Sequence, residues 1–479
     1  MSIAQQLPSI SLKSLSDTYP CSGPSEFLNL LMPKLSSPGS VLLLSGGNSD
    51  CAHYSIAGWD PLSIFSSKGR TCQLQFGDRL IRDEDDPVYA LQDIIAKIKQ
   101  EDKSTHFILP FQSGTMGYIA YDTKNVLEKL PRLTLDDLKL PDMYWIIPSK
   151  IAILDHQKKG VKFMQLAFAS EQFSDNTDCY PFWKAHNFFE CLSKKRQERD
   201  FYVGPVSSNF TREQYIEAIK KIHRYIEEGH VYQINLSQRF HAEFQGDPKS
   251  LFCALFKDSP APFYGYINAG DHHVICTSME RFLWSDGHTI ETRPIKGTRP
   301  RGITEQEDNQ YRDDLIKNPK DDAELSMIVD LLRNDLGKIC VSGSINVREH
   351  KRLENYRYVH HLVSIVEGKI SPTTGIAEIL NATFPGGSIT GCPKIRAMEI
   401  IEELEPHCRH IYTGSIGYLG TRGQMDLNIA IRTLIIKANH CYYGAGGGIV
   451  YDSVPEQEYE ETIHKAKAFL MLKFCRSRT

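Results

Sequence analysis

Acidic residues repeat at a helical spacing in two distant parts of the chain. Asp321 and Glu324 stand three apart, Glu458 and Glu461 repeat that spacing, and Lys465 follows four residues later. Residues three or four apart share one face of a helix. Two such faces, if opposed, would offer an oxygen-rich site for a hard divalent cation such as Mg²⁺. A solvated helix face remains the commoner explanation of either pair alone.

Two glycine-rich segments have the composition of anion-binding backbone. Residues 444–448 (GAGGG) precede Ile449, and residues 385–394 (PGGSITGCPK) lead into a predicted helix. Glycines let backbone N–H groups approach a ligand closely, and a helix N-terminus attracts negative charge. A bulge or turn would explain residues 444–448 equally well, and a tight connection with helix capping is the commoner explanation of residues 385–394. Neither segment is a dinucleotide or P-loop fingerprint, so nucleotide binding is not predicted.

A single lysine interrupts the strand-like run of residues 292–298 (TRPIKGT). Lys296 lies between Pro294 and Gly297, so that its backbone is fixed in the run while its side chain is free to project. A lysine is nucleophilic only when neutral. Desolvation or a neighbouring cation must therefore lower its pKa. An ordinary surface lysine is more common, and the spacing does not distinguish the two.

The composition is that of a globular protein without a nucleic-acid or membrane partner. The 479 residues are 41% hydrophobic and 24% charged, with a formal net charge of −4. This mild charge argues against a nucleic-acid surface. No run approaches the roughly 20 apolar residues of a membrane span, and residues 1–14 do not resemble a signal peptide. Twelve cysteines without a CxxC pair suggest neither zinc nor disulfides, so we expect a cytoplasmic protein.

The elements that would position these residues fall into two halves. The polar residues 170–205 mark the predicted boundary between an N-terminal domain (1–200) and a catalytic domain (201–479). A helix should begin at Thr211, where Gln214 completes a capping box, and end before Gly229. Because helices and strands do not alternate strictly, we predict an α+β fold with mainly antiparallel strands. Further strands are predicted at 41–44, 151–154, 232–240, 263–267 and 274–277, and helices at 321–336, 393–403 and 455–469.

Several ordered segments resemble the chorismate-utilising enzymes, the family of anthranilate, aminodeoxychorismate, isochorismate and salicylate synthases. The resemblance runs from about residue 209 to residue 474 and is weaker in the N-terminal half. It implies an α/β sandwich of two large, mainly antiparallel sheets around a buried site. Its carriers are residues 278–282 (SMERF), 327–331 (MIVDL), 333–335 (RND), 360–364 (HHLVS), 385–394, 414–418 (GSIGY), 431–434 (IRTL) and 446–450 (GGGIV).

The resemblance assigns each motif a task at the two carboxylates of chorismate. Glu324 and Glu461 would hold Mg²⁺ directly, and Asp321 and Glu458 would support it through water. The metal would grip the ring carboxylate. The residues implied at the enolpyruvyl carboxylate are Arg432, Tyr412, Lys465 and the amides of Gly446 and Gly448, and those implied around the ring are Thr390, Gly391, His361, Gln233 and Thr298.

Three positions favour the members that aminate chorismate to 4-amino-4-deoxychorismate. Gln233 stands where water-adding members carry a basic lysine. Lys296 stands where anthranilate synthases typically carry alanine, and residues 387–391 (GSITG) also follow the aminating members. In the route implied by the resemblance, Lys296 adds at C2 while Glu280 protonates the departing C4 hydroxyl. Met279 and Cys392 depart from the usual proline and alanine, and we expect them to alter packing rather than chemistry.

The resemblance also implies partners. The chain has no glutaminase nucleophile segment, so ammonia should come from a separate glutamine amidotransferase subunit. Residues 42–45 (LLLS) and Pro262 resemble the walls of a tryptophan pocket, with Ser45 on one side. A bound tryptophan, an empty remnant and an ordinary buried strand all remain open.

Two other functions compete with amination at C4. Anthranilate synthesis is the nearest alternative, and Lys296 argues against it. A catalytically silent chorismate-binding or partner-binding subunit is the alternative from another class. The presence of Glu280, Lys296, Glu324, Glu461 and Arg432 together argues against a silent subunit.

Overall fold

A computed structural model describes residues 2–47, 49–99, 109–169 and 201–474. The predicted boundary between domains 1–200 and 201–479 falls on residues 170–200, which lie outside the described residues. The two-domain division therefore stays a prediction.

Strands carry most of the regular structure and pair almost entirely antiparallel. Among the described residues only β1 and β6 form a parallel ladder. The strands are β1 Ile10–Pro20, β2 Ser40–Leu44, β3 Tyr54–Lys68, β4 Thr71–Phe76, β5 Arg79–Glu84, β6 Ile98–Lys99, β7 Gly114–Ile119, β8 Met143–Asp155, β9 Gly160–Phe168, β10 Phe201–Val203, β11 Ser207–Ser208, β12 Gln233–Gly246, β13 Phe263–Asn268, β14 His272–Ser278, β15 Arg281–Asp286, β16 Thr289–Arg293, β17 Ile295–Pro300, β18 Asn346–Asn355, β19 Val359–Lys369, β20 Gly391–Cys392, β21 Ser415–Gly420, β22 Gln424–Asn428, β23 Thr433–Lys437 and β24 His440–Ile449.

Helices flank these strands, and their local signals match the sequence. Thr211 accepts a hydrogen bond from the Gln214 amide, and the reciprocal bond completes the predicted capping box. The α+β class with mainly antiparallel strands is confirmed. The α-helices of the described residues are α1 Pro24–Leu31, α2 Pro87–Ile95, α3 Lys124–Leu127, α4 Arg212–Glu227, α5 Pro248–Asp258, α6 Glu305–Lys317, α7 Pro319–Gly337, α8 Ile376–Thr383, α9 Lys394–Leu404 and α10 Pro455–Leu470.

Strand pairing joins the two halves of the sequence. β2 lies between β3 and β13, and β7 lies between β8 and β21. Large buried side chains such as Trp145, Tyr118 and Phe282 fill the core beside these strands. Each half therefore supplies strands to the interior of a sheet that the other half completes.

The long strand β12 forms the centre of the C-terminal half. It pairs with β24 over ten residues and with β20 at its beginning. α10 packs against β24, and Tyr443 stacks on Phe469 with ring centroids 5.3 Å apart. The acidic residues of α10 are thereby held over the glycines of β24. No helix of the described residues has both the length and the apolar character to cross a membrane.

Candidate functional site

Glu280 lies in the link between β14 and β15 and is 5% exposed. Ser388 Oγ donates a 2.6 Å hydrogen bond to its Oε1 atom. Burial raises the pKa of Glu280 to about 7, although this hydrogen bond and the charge of Lys296 oppose the rise. Near neutral pH this carboxyl can therefore either donate or accept a proton.

Lys296 lies on β17, directly opposite Leu362 of β19. Its ammonium is close enough to lower the pKa values of Glu280, Glu324 and Glu461. Its Nζ atom also lies 3.4 Å from the point where a Cβ on Gly448 would stand. The fold thus brings the predicted amine, the predicted acid and the glycine segment to one place.

The two glutamates of α10 lie over β24, and Glu324 of α7 is close enough to interact with the charge of Glu461. A Cβ on Gly447 would stand 3.3 Å from Glu458 Oε2 and 3.6 Å from Glu461 Oε1. Burial raises the pKa of Glu324 and of Glu458, and repulsion from Glu461 adds to both shifts. Burial also opposes ionisation of Glu461, but Lys465, 2.6 Å away, together with the charges of Lys296 and Lys320, lowers the pKa of Glu461.

Asp321 lies near Glu324, whose pKa is raised by burial and raised further by the charge of Asp321. Arg299 Nη2 donates to the Asp321 Oδ2 atom at 2.9 Å. Asp321 is therefore paired with Arg299, although it shares a helix face with Glu324. Within the described residues, no three His, Cys, Asp or Glu side chains are close enough together to hold a metal. Carboxylate oxygens are nevertheless the ligand type that Mg²⁺ prefers, and a divalent cation would offset the repulsion from Glu461 that adds to the raised pKa values of Glu324 and Glu458.

The glycines of residues 444–448 form the last part of β24, just before Ile449. A Cβ on Gly448 would collide with the side-chain amide nitrogen of Gln233, which is 2% exposed. The Gln233 Oε1 atom has no hydrogen-bond partner. Lys465 Nζ donates to the Gly446 carbonyl at 2.9 Å. The absence of side chains here makes room for Gln233 and for a ligand.

Tyr412, Arg432 and His361 border the same region. The Tyr412 ring packs against Gly444, where a Cβ would overlap the ring. Arg432 has a positive φ of 50°, and its charge acts on His361. Burial, with that charge, lowers the pKa of His361 to about 3, so the imidazole is neutral at physiological pH.

The orientation of His361 follows from its contacts. Its Nδ1 atom lies 3.0 Å from Thr298 Oγ1 and 3.3 Å from the Gly297 carbonyl. Because a carbonyl can only accept, Nδ1 carries the hydrogen in that contact. The Nε2 atom is buried without a partner. A neutral Nε2 of this tautomer can accept a hydrogen bond from a ligand.

The loop at residues 385–394 is braced from within. Thr390 Oγ1 donates to the Gly386 carbonyl at 3.1 Å, so its hydroxyl serves the loop itself. Gly391 has a φ of 149°, and a Cβ there would collide with the Gln233 carbonyl. Cys392 is half-buried, and burial raises the pKa of its thiol, which agrees with a structural role.

Two residues that serve this loop are absent from the predicted site. Ser388 binds Glu280, and Arg409 donates from Nη1 to the Ile389 carbonyl at 2.9 Å. Arg409 also forms a buried ion pair of 2.6 Å with Glu405. The hydroxyl within GSITG was a visible signal for Ser388, but no sequence pattern indicated Arg409.

A separate cavity of about 460 Å³ lies beside β2, β13 and β15. Both residues of the predicted tryptophan pocket line it, and Ser45 Oγ donates to the Pro262 carbonyl at 2.8 Å. The Ser45 hydroxyl is thus hydrogen-bonded to backbone, as expected for an ordinary buried strand. Buried charges line the opposite wall, where Arg281 binds both Glu291 and Asp426. The cavity therefore combines apolar walls with groups of both charges.

Comparison with known proteins identifies relatives over most of the chain. Aminodeoxychorismate synthase component 1 of Escherichia coli (strain K12) is 38% identical over 90% of this chain and 93% of its own. The Bacillus subtilis (strain 168) protein of the same name is 37% identical over 87% of this chain and 88% of its own. Anthranilate synthase component 1 of Thermus thermophilus is equally similar, at 37% over 91% of this chain and 92% of its own.

The solved structure of anthranilate synthase component I from Streptococcus pneumoniae superimposes with a TM-score of 0.76 at 32% identity. The superposition covers 89% of this chain and 94% of the Streptococcus pneumoniae chain. The family model described as chorismate binding enzyme matches residues 45–471. The chain therefore belongs to the chorismate-binding enzyme family and is a chorismate-utilising enzyme.

Proposed function

We propose that this enzyme aminates chorismate at C4 and releases 4-amino-4-deoxychorismate, with Mg²⁺ bound. The observation that carries the proposal is the position of Lys296. Its ammonium lies beside Glu280, which can donate a proton, and beside Glu324 and Glu461, which suit a divalent cation. Relatives named aminodeoxychorismate synthase component 1, at 37–38% identity, support the same reaction.

The proposed chemistry proceeds by two displacements at one face of the ring. In the first, the Lys296 ammonium loses a proton to solvent, the neutral amine forms a bond to C2, the ring double bonds shift, and the C4–O bond breaks. Glu280 gives its proton to the departing hydroxyl, which leaves as water. The pKa of about 7 keeps a large fraction of Glu280 protonated at neutral pH.

In the second displacement, ammonia attacks C4 and the bond between C2 and Lys296 breaks. The Glu280 carboxylate accepts the proton that the new C4 ammonium group loses. Glu280 thus returns to its acid form, and the amine of Lys296 is free again. Two displacements account for the replacement of the C4 hydroxyl with net retention of configuration.

Mg²⁺, when bound, supplies a positive charge for the ring carboxylate of chorismate. Glu324 and Glu461 are the proposed ligands, and Glu458 lies beside them over Gly447. Asp321, which is paired with Arg299, would have to exchange that partner to contribute through water. Arg432, Tyr412, Lys465 and the amides of Gly446 and Gly448 are proposed to bind the enolpyruvyl carboxylate, and Thr390, Gly391, His361, Gln233 and Thr298 to surround the ring.

Product identification tests the proposed reaction. The purified chain is incubated with chorismate, Mg²⁺ and ammonium, and the product is identified by chromatography and mass spectrometry. We expect aminodeoxychorismate, and Lys296→Ala should abolish it. Full product formation by Lys296→Ala would rule out the lysine as nucleophile. Anthranilate, recognised by its fluorescence, would assign the enzyme to the other reaction, which the equally similar Thermus thermophilus relative makes the second candidate.

We propose that a separate glutamine amidotransferase subunit delivers the ammonia. The names of the relatives, each a component 1, support the existence of a second component. The isolated chain should therefore turn over with ammonium and not with glutamine. Glutamine-dependent turnover by the chain alone would overturn this part of the proposal.

We propose tryptophan as the ligand of the 460 Å³ cavity lined by Ser45 and Pro262. Its apolar walls would suit an indole, and Arg281, Glu291 and Asp426 would suit the charged ends of an amino acid. Mass spectrometry of the denatured protein should detect copurified tryptophan. A cavity without tryptophan, in protein that also fails to bind it in calorimetry, would contradict the assignment.

A further inference from the structure

Arg409 is a buried cation in the segment that follows α9, with 6% of its surface exposed. Its guanidinium donates to the Ile389 carbonyl at 2.9 Å and to the Asn235 carbonyl at 2.6 Å. The same group pairs with Glu405, at 2.8 Å from Nε and 2.6 Å from Nη2. One side chain therefore joins the loop of residues 385–394 to strand β12.

Three successive carbonyls of this loop are held in the same way. Asn235 of β12 donates from its side-chain amide to the Ser388 carbonyl at 3.4 Å, and from its backbone amide to the Thr390 carbonyl at 2.8 Å. The Ile389 carbonyl between them is held by Arg409. A guanidinium donor makes this middle hydrogen bond the charge-assisted one of the three. The loop is thus fastened to β12, with Arg409 at the centre of the attachment.

The guanidinium of Arg409 is itself held from two sides. Glu405 accepts hydrogen bonds from the Ser237 amide and from the Ser237 hydroxyl, both at 2.8 Å. The Tyr121 ring, from the N-terminal half, has its centroid 4.7 Å from the guanidinium carbon, which is the distance of a cation–π contact. Arg409 cannot leave this position without stranding the buried charge of Glu405. We therefore regard the guanidinium as a rigid brace for the loop.

Ser388 is the loop residue through which this brace reaches the proposed chemistry. Its hydroxyl donates the 2.6 Å hydrogen bond to Glu280 Oε1. Because O–H···O hydrogen bonds span only about 2.5 to 3.0 Å, a displacement of the loop by about 1 Å would break this contact. Groups outside the loop also act on the charge of Glu280, namely Lys296, Lys465 and the backbone of Ile295. The contribution of the loop depends on where Ser388 stands.

We propose that Arg409 is a positioning residue for the reaction, which holds the Ile389 carbonyl against β12 and thereby keeps the Ser388 hydroxyl on Glu280. The inference rests on the proposed function in taking Glu280 as the proton donor. Arg409 acts on that donor through the loop. Because the Tyr121 ring supports the guanidinium, the N-terminal half takes part in placing a proton donor of the C-terminal half.

The alkaline limb of kcat for chorismate consumption, with saturating ammonium, tests the inference. Arg409→Lys keeps a positive charge for Glu405, but one ammonium cannot replace the planar fork that spans two carbonyls. The Ser388 hydrogen bond should then be lost, and the pKa of Glu280 should rise. We expect the limb to move to higher pH by roughly 0.5 to 1 pH unit.

A double variant separates positioning from a general loss of stability. Ser388→Ala combined with Arg409→Lys should move the limb no further than Ser388→Ala alone, because both changes remove the same contact to Glu280. Arg239→Lys is the matched control. Arg239 also pairs through two nitrogens with Asp137 and lies over the Tyr442 ring at 5.2 Å, and its replacement should leave the limb in place.

A second replacement covers the case in which Arg409→Lys does not fold. Arg409→Met with Glu405→Gln removes both buried charges, and the glutamine carbonyl can still accept from Ser237. This pair should move the limb as Arg409→Lys does. A limb that stays in place, or effects of Ser388→Ala and Arg409→Lys that add, would show that Arg409 serves only the fold.

The outcomes also separate this inference from the proposed function. An unmoved limb with aminodeoxychorismate as the product overturns the positioning role and leaves the proposed function intact. Anthranilate as the product overturns the proposed function, while the limb still decides the role of Arg409, because it is measured on chorismate consumption. Absence of chorismate turnover by the wild type overturns both.

Discussion

Ser388 Oγ donates a 2.6 Å hydrogen bond to Glu280 Oε1, and both groups are buried. The two residues are 108 positions apart in the sequence, so this contact depends wholly on the tertiary fold. It holds one carboxyl oxygen in place and stabilises the ionised form. The serine therefore tunes the acidity of the group that the proposed mechanism uses twice.

Ser388→Ala should move the alkaline limb of the pH–rate profile to higher pH. The hydrogen bond lowers the pKa of Glu280, which burial has raised to about 7, so its loss lets the pKa rise further. The acid form then persists to higher pH, by roughly 0.5 to 1 pH unit for one hydrogen bond. Rates with saturating ammonium across pH 6–9 measure the limb. Ser63→Ala, at a buried serine whose hydroxyl has no partner, is the control; a limb that does not move would contradict the tuning role.

Glu280→Gln should stabilise the protein at alkaline pH while abolishing activity. The pKa of Glu280 is about 7 in the folded state against an ordinary value of 4.5, so ionisation opposes folding and stability is lost as pH rises between these values. Removing the charge should raise the free energy of unfolding by up to about 3 kcal/mol at pH 8 and by much less at pH 5. Urea unfolding at both pH values measures the difference. Equal effects at the two pH values would contradict the raised pKa.

Gly444→Ala should raise the KM for chorismate at least ten-fold through Tyr412. A Cβ at position 444 would stand 2.5 Å from the Tyr412 Cδ1 atom, so the ring must move. Movement of the ring misplaces its hydroxyl relative to the proposed carboxylate site. Gly337→Ala provides a control, since a Cβ there meets only Ile345 at 3.9 Å. An unchanged KM with normal folding would exclude Tyr412 from substrate binding.

Mg²⁺ should raise the melting temperature of the metal-free protein, because it neutralises buried carboxylates. Burial raises the pKa values of Glu324 and Glu458, which shows that their ionised forms are poorly solvated. Glu324→Gln and Glu461→Gln should each remove most of the Mg²⁺-dependent shift in differential scanning fluorimetry. Glu460→Gln, at an exposed neighbour on α10, should keep it. A full shift in Glu324→Gln would contradict the proposed ligand.

Local sequence signals predicted the elements well, because the information lies within a few residues. The capping box at Thr211 and Gln214 fixed the start of α4, and the helical spacing placed Glu458 and Glu461 on one face of α10. The glycines of 444–448 form the last part of β24. Glycine disfavours strands, but ten residues of pairing with β12 override that preference.

The partners of the site residues were less predictable, because tertiary contacts determine them. The spacing placed Asp321 and Glu324 on one helix face, but Asp321 forms an ion pair with Arg299 of β17. The resemblance to a known family supplied the roles of Lys296 and Glu280, which no periodicity could reveal. Arg409 acts through contacts that cross from one element to another, so it became visible only in three dimensions.

The interleaving of β2 and β7 with strands from the other half constrains how the chain can be made. One edge of β2 stays unpaired until β13 is available, and one edge of β7 stays unpaired until β21 is available. During synthesis these edges therefore remain unpaired until more than two hundred further residues have left the ribosome. Pairing between such distant segments slows folding and leaves strand edges exposed to aggregation. Expression of residues 1–200 alone should therefore give aggregated material.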